Sequence, residues 1–357
     1  MDFNLSPTQI EAVEQTREFA KKEIVPHIQQ IEEDLAFRRQ LVSKMAQHGF
    51  FKPYTDFLSY LLVLKEISKV DGGIAATFSV THMVASAISH YGSDEQKKKY
   101  LPRVESGELA PLAFALTEKD TGSDAKNIQL KADASGVLNG EKHYISNADL
   151  AGCIIVLAQS PQGMTAYLVD GGADGLSFPK KEKKLGLLSA NLVSIRFDNC
   201  QSQLLGEVGK GFEIAKNSLD NGRIGIAAQS LGIAEAAYEA SLAFSKQRRQ
   251  FGNPIFDFQA IAFKLADMRV KLDAGLLLMY KAAWLKQQNK PCTLEASEAK
   301  LFCSEAANQI AYDAVQMFGV RGYIGDYPIE KYFRDARATT LYEGTSEIQR
   351  VIISRKL

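Results

Sequence analysis

The spacing of apolar residues changes twice along the chain, and this change constrains the fold more than any other feature of the sequence. From residue 6 to about 108, and again from about 206 to the end, apolar residues recur at the period of an α-helix. Between about 109 and 205 the apolar runs are short and separated by turn residues, and Asn139-Gly140 is a strong signal for a two-residue hairpin turn. The sequence therefore predicts an α+β fold, mainly α, with an N-terminal helical domain (1–108), a middle antiparallel β domain (109–205) and a C-terminal four-helix bundle (206–357).

The charge balance and hydropathy narrow the classes of partner. Lys and Arg total 42 and Asp and Glu total 42, so the net charge is zero. This argues against a nucleic acid or an anionic membrane as the main partner. No apolar run approaches the roughly 18–20 residues that span a bilayer, and the N-terminus lacks the basic start and apolar core of a signal peptide. We therefore expect a cytoplasmic protein with no membrane span.

The cysteines and histidines give no sign of a metal site or a disulfide framework. Cys153, Cys200, Cys292 and Cys303 are scattered and form no C-x-x-C pair, and the five histidines form no metal-binding spacing. In a chain of this length such cysteines are most simply reduced thiols. We therefore expect no bound metal.

The stretch Tyr342–Glu347 lies between two helical patterns near the C-terminus. Gly344 would allow a tight connection, and Thr345 or Ser346 is placed to cap the following helix. Glu343 is thus expected on a loop held by a rigid scaffold, where partial burial would raise the pKa of its carboxyl and make it a candidate general base. The alternative is a solvated acid near a helix start.

Two stretches of the middle β domain and one of the C-terminal helical bundle also carry polar side chains that could form a site. Residues Leu112–Asp124 indicate a strand followed by a turn rich in hydroxyls and glycine, which suits a polar planar ligand or a pyrophosphate, or is an ordinary turn. Tyr144 and Ser146 are two apart on a strand and would share one of its faces. Asp220 and Arg223 are three apart on a helix and would form an ion pair.

Two helix ends complete the set of candidate stretches. Residues Lys246–Gly252 end a helix with paired arginines, which complement the helix macrodipole and are also good partners for phosphate. Residues Gln316–Tyr323 end a helix with a glycine C-cap. Neither pattern indicates a function when it is taken alone.

In their order along the chain, these stretches resemble the acyl-CoA dehydrogenases, flavoenzymes that oxidise the Cα–Cβ bond of acyl thioesters. Residues Tyr342–Arg350, YEGTSEIQR, are similar to the C-terminal signature of that family, and the resemblance covers nearly the whole chain. It implies that Glu343 removes a proton from Cα while a hydride leaves Cβ for N5 of FAD, with electrons passing to an electron-transfer flavoprotein in fatty acid metabolism. It also implies a dimer or homotetramer, because in the family the segment of Arg248 reaches the FAD of a neighbouring subunit.

The same resemblance implies which residues contact the ligands. The residues that would contact the acyl-CoA substrate are Ser123, Asp220, Arg223 and Gly344. The residues that would contact FAD are Phe114, Leu116, Thr117, Gly122, Ser123, Tyr144, Ser146, Arg248, Gln250, Phe251, Gln316, Gly319, Thr345 and Glu347.

Several positions depart from the pattern of the family. Tyr144 stands where the family usually has Trp, Val320 replaces a common Gly, and Lys119 replaces a common Pro. Between Gly49 and Leu58 the chain is shorter than the Gly-rich loop of the family, and a shorter loop could admit a bulkier carrier or another acyl group. Three alternatives therefore stay open: a dehydrogenase of acyl-carrier-protein thioesters, a family oxidase that uses O₂, and a catalytically silent flavin-binding relative.

Overall fold

The computed structural model describes residues 4–54 and 56–357, which fold as a helical region, a β-sheet and a second helical region. This order confirms the α+β, mainly α, fold class. The domain boundaries at 108/109 and 205/206 stay predictions. Thr55, in the shortened connection before residue 58, lies outside the described residues.

The N-terminal region is built from helices that begin at polar caps. These helices are α1 (Pro7–Phe19), followed by a π-helical turn (Ala20–Ile24) and a 3-10 turn (Val25–His27), α2 (Ile28–Glu33), α3 (Leu35–Gln47), α4 (Phe57–Ser68), α5 (Gly72–Tyr91) and α6 (Asp94–Glu105). Ser6 and Ser93 each form a capping box, in which Gln9 and Gln96 return the hydrogen bond. The sequence predicts both caps, because Ser6 and Ser93 are each followed three residues later by a glutamine, and the structure confirms them.

The described residues of the middle region form one eight-stranded sheet. Its strands are β1 (Ala113–Ala115), β2 (Lys131–Ala132), β3 (Leu138–Ser146), β4 (Cys153–Ser160), β5 (Gly163–Asp170), β6 (Leu176–Lys181), β7 (Leu192–Cys200) and β8 (Gln203–Leu205). The order is β6-β7-β3-β2-β4-β5-β8, with β1 beside β4. The β1–β4 and β2–β4 pairs are parallel and the other pairs are antiparallel, so the expected antiparallel character holds for most of the sheet.

The predicted hairpin turn at Asn139-Gly140 is wrong, because β3 runs through both residues. The chain reverses earlier, where Asp133 Oδ1 accepts a hydrogen bond of 2.8 Å from the backbone N–H of Ser135. Gly140 (φ +136°) instead lies at a shift in register, where an added Cβ would be 3.2 Å from Leu130 Cα. An aspartate turn therefore makes the reversal, and the glycine allows the backbones to approach.

The C-terminal region packs its helices around one long central helix. The elements are α7 (Gly211–Gln247), the hairpin β9 (Arg249–Gln250) and β10 (Asn253–Pro254), a 3-10 turn (Ile255–Asp257), α8 (Gln259–Gln287), α9 (Thr293–Phe318), α10 (Val320–Tyr323), α11 (Ile329–Ala338) and α12 (Ser346–Ser354). Helix α7 packs against α8 and α9 on one side and against α4 and α5 on the other. The described residues contain no helix that is both long and apolar enough to cross a membrane.

A buried ionic cluster joins the three regions. The Nζ atom of Lys331 lies 2.7 Å from Asp335 Oδ2 and 3.0 Å from Asp71 Oδ2. Ser189, which precedes β7, donates a hydrogen bond to Asp71, and Glu32 lies 3.2 Å from Lys331. Burial opposes the charged form, but the carboxylates of Asp71 and Asp335 outweigh it and raise the pKa of Lys331. The cluster therefore fixes the positions of α5, α11 and the sheet relative to one another.

Candidate active site

Glu343 lies on the tight connection between α11 and α12, as predicted. Both Glu343 (φ +55°) and Gly344 (φ +90°) adopt the left-handed backbone conformation, which is uncommon for a glutamate. The next residue, Thr345, caps α12 by accepting a hydrogen bond of 3.4 Å from the N–H of Ile348. A non-glycine residue in this conformation stores backbone strain, and such strain is typical of functional sites.

The carboxylate of Glu343 is held against α7 without a hydrogen bond to Oε2. This oxygen is buried, and no described residue bonds to it. It packs against Gly222 so closely that an added Cβ on that glycine would lie 2.5 Å from Oε2. Burial raises the pKa of Glu343 to about 7, although the positive charges of Arg223 and Lys300 oppose the rise. A carboxylate with these properties can exchange a proton near neutral pH.

The predicted ion pair on α7 is present and buried. Arg223 Nη1 donates a hydrogen bond of 2.6 Å to Asp220 Oδ1, and both side chains are 8% exposed. Asp220 Oδ2 also accepts a hydrogen bond of 2.7 Å from Thr293 Oγ1, at the start of α9. These bonds fix Arg223 beside the carboxylate of Glu343, where its charge acts on the site.

One cavity of about 620 Å³ gathers most of the predicted site residues. It lies between the β-sheet, α7 and the loop that carries Glu343. Its lining includes Phe114, Leu116, Thr117, Gly122, Ser123, Tyr144, Ser146, Arg223, Glu343 and Gly344. The turn after β1, the end of β3 and the loop that carries Glu343 are separated in the sequence, yet they face the same space.

A buried ion pair supports the sheet side of this cavity. Lys142 is fully buried in β3, and its Nζ donates hydrogen bonds of 2.8 Å to Leu116 O and to Glu118 Oε1. Glu118 in turn accepts the backbone N–H groups of Gln129 and Leu130. Burial lowers the pKa of Lys142 to about 8, although its partner Glu118 opposes the change. The pair fixes the turn after β1 in place.

Tyr144 points into the cavity from a break in the strand. The register of β3 against β7 shifts between Lys142 and Ile145, and Tyr144 has a φ of +60°. Its side chain is half exposed, and both Tyr144 and Ser146 line the cavity. Ile145, which lies between them, lines the same cavity, so the bulge interrupts the alternation of a regular strand and the shared face of Tyr144 and Ser146 stays a prediction.

A second cavity of about 600 Å³ adjoins the first. Met83 lines both cavities, and Gly222, which packs against the carboxylate of Glu343, lines the second. Aromatic rings form much of its wall, among them Tyr54, Phe57 and Tyr60. Its wall also includes His82, whose pKa burial lowers to about 4, so this side chain is neutral at pH 7. The carboxylate of Glu343 therefore lies on the wall of the first cavity and contacts Gly222 on the wall of the second.

Several residues that the resemblance assigned to FAD lie outside the cavity within a single chain. Arg248 ends α7, Gln250 lies in β9, and Phe251 follows at the tip of the hairpin, where its side chain is 91% exposed. Gln316 and Gly319 lie at the end of α9. Thr345 is occupied as a helix cap, and the side chain of Glu347 points to the surface. The assignment of these residues stays a prediction.

Sequence reasoning missed two contacts of the loop that carries Glu343. Lys300 on α9 donates a hydrogen bond of 2.7 Å to Gly344 O, and Gln349 on α12 bonds to Glu343 O at 3.2 Å. The signal for Lys300 was available, since it stands among the small apolar residues Ala296, Ala299 and Cys303 on a helix face that is buried. A lysine in such a place needs a buried partner.

Comparison with known proteins identifies the class. Three family models match the chain: "Acyl-CoA dehydrogenase, N-terminal domain" over residues 6–108, "middle domain" over 113–200 and "C-terminal domain" over 209–357. An acyl-CoA dehydrogenase of Bacillus subtilis is 42% identical, with 99% of each chain covered. The caffeyl-CoA reductase-Etf complex subunit CarC of Acetobacterium woodii is 39% identical, with 96% of each covered. The butyryl-CoA dehydrogenase structure from Megasphaera elsdenii superposes with a TM-score of 0.94 at 38% identity, covering 100% of this chain and 99% of that one.

The chain therefore belongs to the acyl-CoA dehydrogenase family, and it is an FAD-dependent oxidoreductase that acts on acyl-CoA. The sheet side of the first cavity fits a flavin ring. Tyr144 offers a half-exposed aromatic face, and Ser146 offers a hydroxyl. Apart from its two chain neighbours, no described residue has an atom within 4 Å of the position that a Cβ on Gly122 would take. A planar ring can therefore approach the backbone of this turn.

Proposed function

We propose that Glu343 is the catalytic base that removes a proton from Cα of an acyl-CoA thioester. The observation that carries this proposal is the buried, unpartnered Oε2 of Glu343, whose side chain lines the first cavity and packs against Gly222, a residue that lines the second. A base needs a free lone pair and a pKa near the working pH, and Glu343 has both. FAD bound against the sheet wall would accept the hydride that leaves Cβ, so that the acyl group becomes an enoyl group.

The residues around Glu343 would tune this proton transfer. Arg223 and Lys300 supply positive charge that favours the ionised carboxylate in the resting site. Binding of the substrate would remove water from the site and raise the pKa of Glu343, so that its carboxylate becomes a stronger base towards the Cα proton. The backbone N–H of Glu343 would bond to the thioester oxygen, where negative charge develops during the reaction.

The outer part of the first cavity suits a phosphorylated carrier. Lys126, Lys216 and Arg355 line it, and in the described part of the chain none of them forms an ion pair. Three cations without carboxylate partners favour the phosphates of coenzyme A. Ser123 and Gly344 line the same cavity as these cations and Glu343, in keeping with contacts to the thioester. The acyl group would then extend past Gly222 into the second cavity.

An electron-transfer flavoprotein is the proposed electron acceptor, because the relative from Acetobacterium woodii is named as the subunit of an Etf complex. A homo-oligomer, a dimer or a homotetramer, is proposed as well. The hairpin at Phe251 is the segment that by resemblance reaches a neighbouring subunit, and a subunit packed over it would bury a side chain that is 91% exposed in the single chain. A role in fatty acid metabolism follows from the same proposal.

The test is an anaerobic titration of the bound flavin with short, medium, branched and aryl acyl-CoAs. We expect at least one of them to bleach the flavin, and the Glu343→Gln variant to keep its flavin while the rate of bleaching falls by about 10²–10⁴-fold. Full activity of Glu343→Gln would refute the assignment of the base. A flavin that no acyl-CoA reduces would favour a carrier-protein thioester or a silent relative, and rapid reoxidation by O₂ in preference to the flavoprotein would favour an oxidase.

A further inference from the structure

Lys300 is a fully buried lysine in the middle of α9. Its ammonium group has three N–H donors, and within the described residues the carbonyl of Gly344 is the one acceptor, at 2.7 Å. Burying an ammonium group with so few partners costs free energy that an apolar residue would avoid. Structural packing alone therefore does not account for a lysine at this position.

The bond from Lys300 fixes the turn that carries the catalytic carboxylate. Gly344 O also accepts a hydrogen bond of 2.9 Å from Gln349 Nε2, and the same nitrogen lies 3.2 Å from Glu343 O. Two donors, one from α9 and one from α12, thus converge on a pair of left-handed residues. Such a conformation at a glutamate persists where its surroundings determine it.

The charges that face Lys300 come from one loop and three helices. Glu343 on the loop, Glu347 on α12 and Glu305 on α9 itself favour the protonated amine, whereas Arg223 on α7 opposes it. Burial is the largest influence and lowers the pKa of Lys300 to about 8, so the group is mostly charged at pH 7. Glu343 in turn faces the positive charges of Arg223 and Lys300.

We propose that Lys300 is a positioning residue for the catalytic base: its ammonium group holds the Gly344 carbonyl so that the carboxylate of Glu343 stays against Gly222, and its charge keeps that carboxylate ionised near neutral pH. This inference rests on the proposed role of Glu343. Lys300 does not line the cavity, so α9 would influence proton abstraction through Gly344 and Glu343.

The test compares Lys300→Met, which removes the hydrogen bond and the charge at similar volume, with Lys300→Gln, which keeps a donor and removes the charge. The readout is the pH dependence of flavin reduction in a single anaerobic turnover with an acyl-CoA that reduces the parent enzyme. Removing a positive charge raises the pKa of Glu343. The acidic limb of the pH–rate profile, along which the rate rises with pH, should therefore move to higher pH by about one unit or more in both variants. At pH 7 we expect the rate to fall at least tenfold in Lys300→Met and less in Lys300→Gln.

Ser304→Ala, one turn further along α9, is the matched control, since it removes a buried hydroxyl that bonds within its own helix. It should leave the acidic limb unchanged. A purely structural role for Lys300 would lower thermal stability or the rate at every pH without moving the limb, and this result would overturn the inference. If Lys300→Met does not fold, the position of the acidic limb in Lys300→Gln decides between the positioning role and a purely structural one. Glu343→Gln measured in parallel tests the base separately, so that failure of one proposal is distinguishable from failure of the other.

Discussion

Replacing Gly222 by alanine tests the placement of the carboxylate of Glu343, the proposed base, with the smallest possible change. The added Cβ would lie 2.5 Å from Glu343 Oε2 and 2.6 Å from Cδ, whereas ordinary contacts begin at 3.4 Å. The carboxylate must therefore move by about 1 Å, or its loop must shift with it. A misplacement of about 1 Å at a reacting group can reduce the rate by about 10²-fold.

The same substitution should leave the fold intact. Gly222 lies inside α7, where alanine is favoured over glycine by about 0.8–1.0 kcal/mol, which offsets part of the cost of the contact. We therefore expect Gly222→Ala to retain FAD and to unfold within a few degrees of the parent protein, while flavin reduction by acyl-CoA slows by about 10²-fold.

The assay is stopped-flow reduction of the bound flavin without oxygen, combined with thermal unfolding followed by circular dichroism. Ser230→Ala, two turns along α7, is the control, since its hydroxyl bonds to Ile226 O within the same helix. A Gly222→Ala variant that reduces its flavin within about threefold of the parent rate would refute the close packing of Glu343 on α7.

Two further predictions concern pH and stability. Because Glu343 must be ionised to accept a proton and its pKa is about 7, kcat/KM should rise about tenfold per pH unit on the acid side and level off above that pH; a flat profile between pH 5.5 and 8 would contradict this. Lys331→Met should leave Asp71 and Asp335 buried without their cation and lower the free energy of unfolding by about 3–5 kcal/mol in urea titrations. The exposed pair of Arg269 with Asp273 serves as the control, since Arg269→Met should cost no more than about 1 kcal/mol, and equal losses in the two variants would argue against the cluster.

Local features of the sequence were enough to predict the order of the regions, the capped helix starts and the position of the candidate base. The capping boxes at Ser6 and Ser93 depend on residues three apart, and the ion pair of Asp220 with Arg223 depends on one helical turn. Such contacts form between neighbours in the chain and so leave a readable pattern. Glu343 was also predictable, because a glycine and a helix cap follow it directly.

Contacts between segments that are distant in the sequence determined the features that could not be predicted. Such contacts have no fixed spacing that can be recognised in the sequence. The hairpin expected at Asn139-Gly140 was replaced by a turn at Asp133, because Gly140 is needed where β3 passes close to Leu130. Lys300 and Glu343 are brought together when α9 packs beneath the loop, and the raised pKa of Glu343 exists because tertiary packing removes water from its carboxylate. The residue that can act as a base is thus specified locally, whereas the burial and the charges that would make it one come from the folded chain.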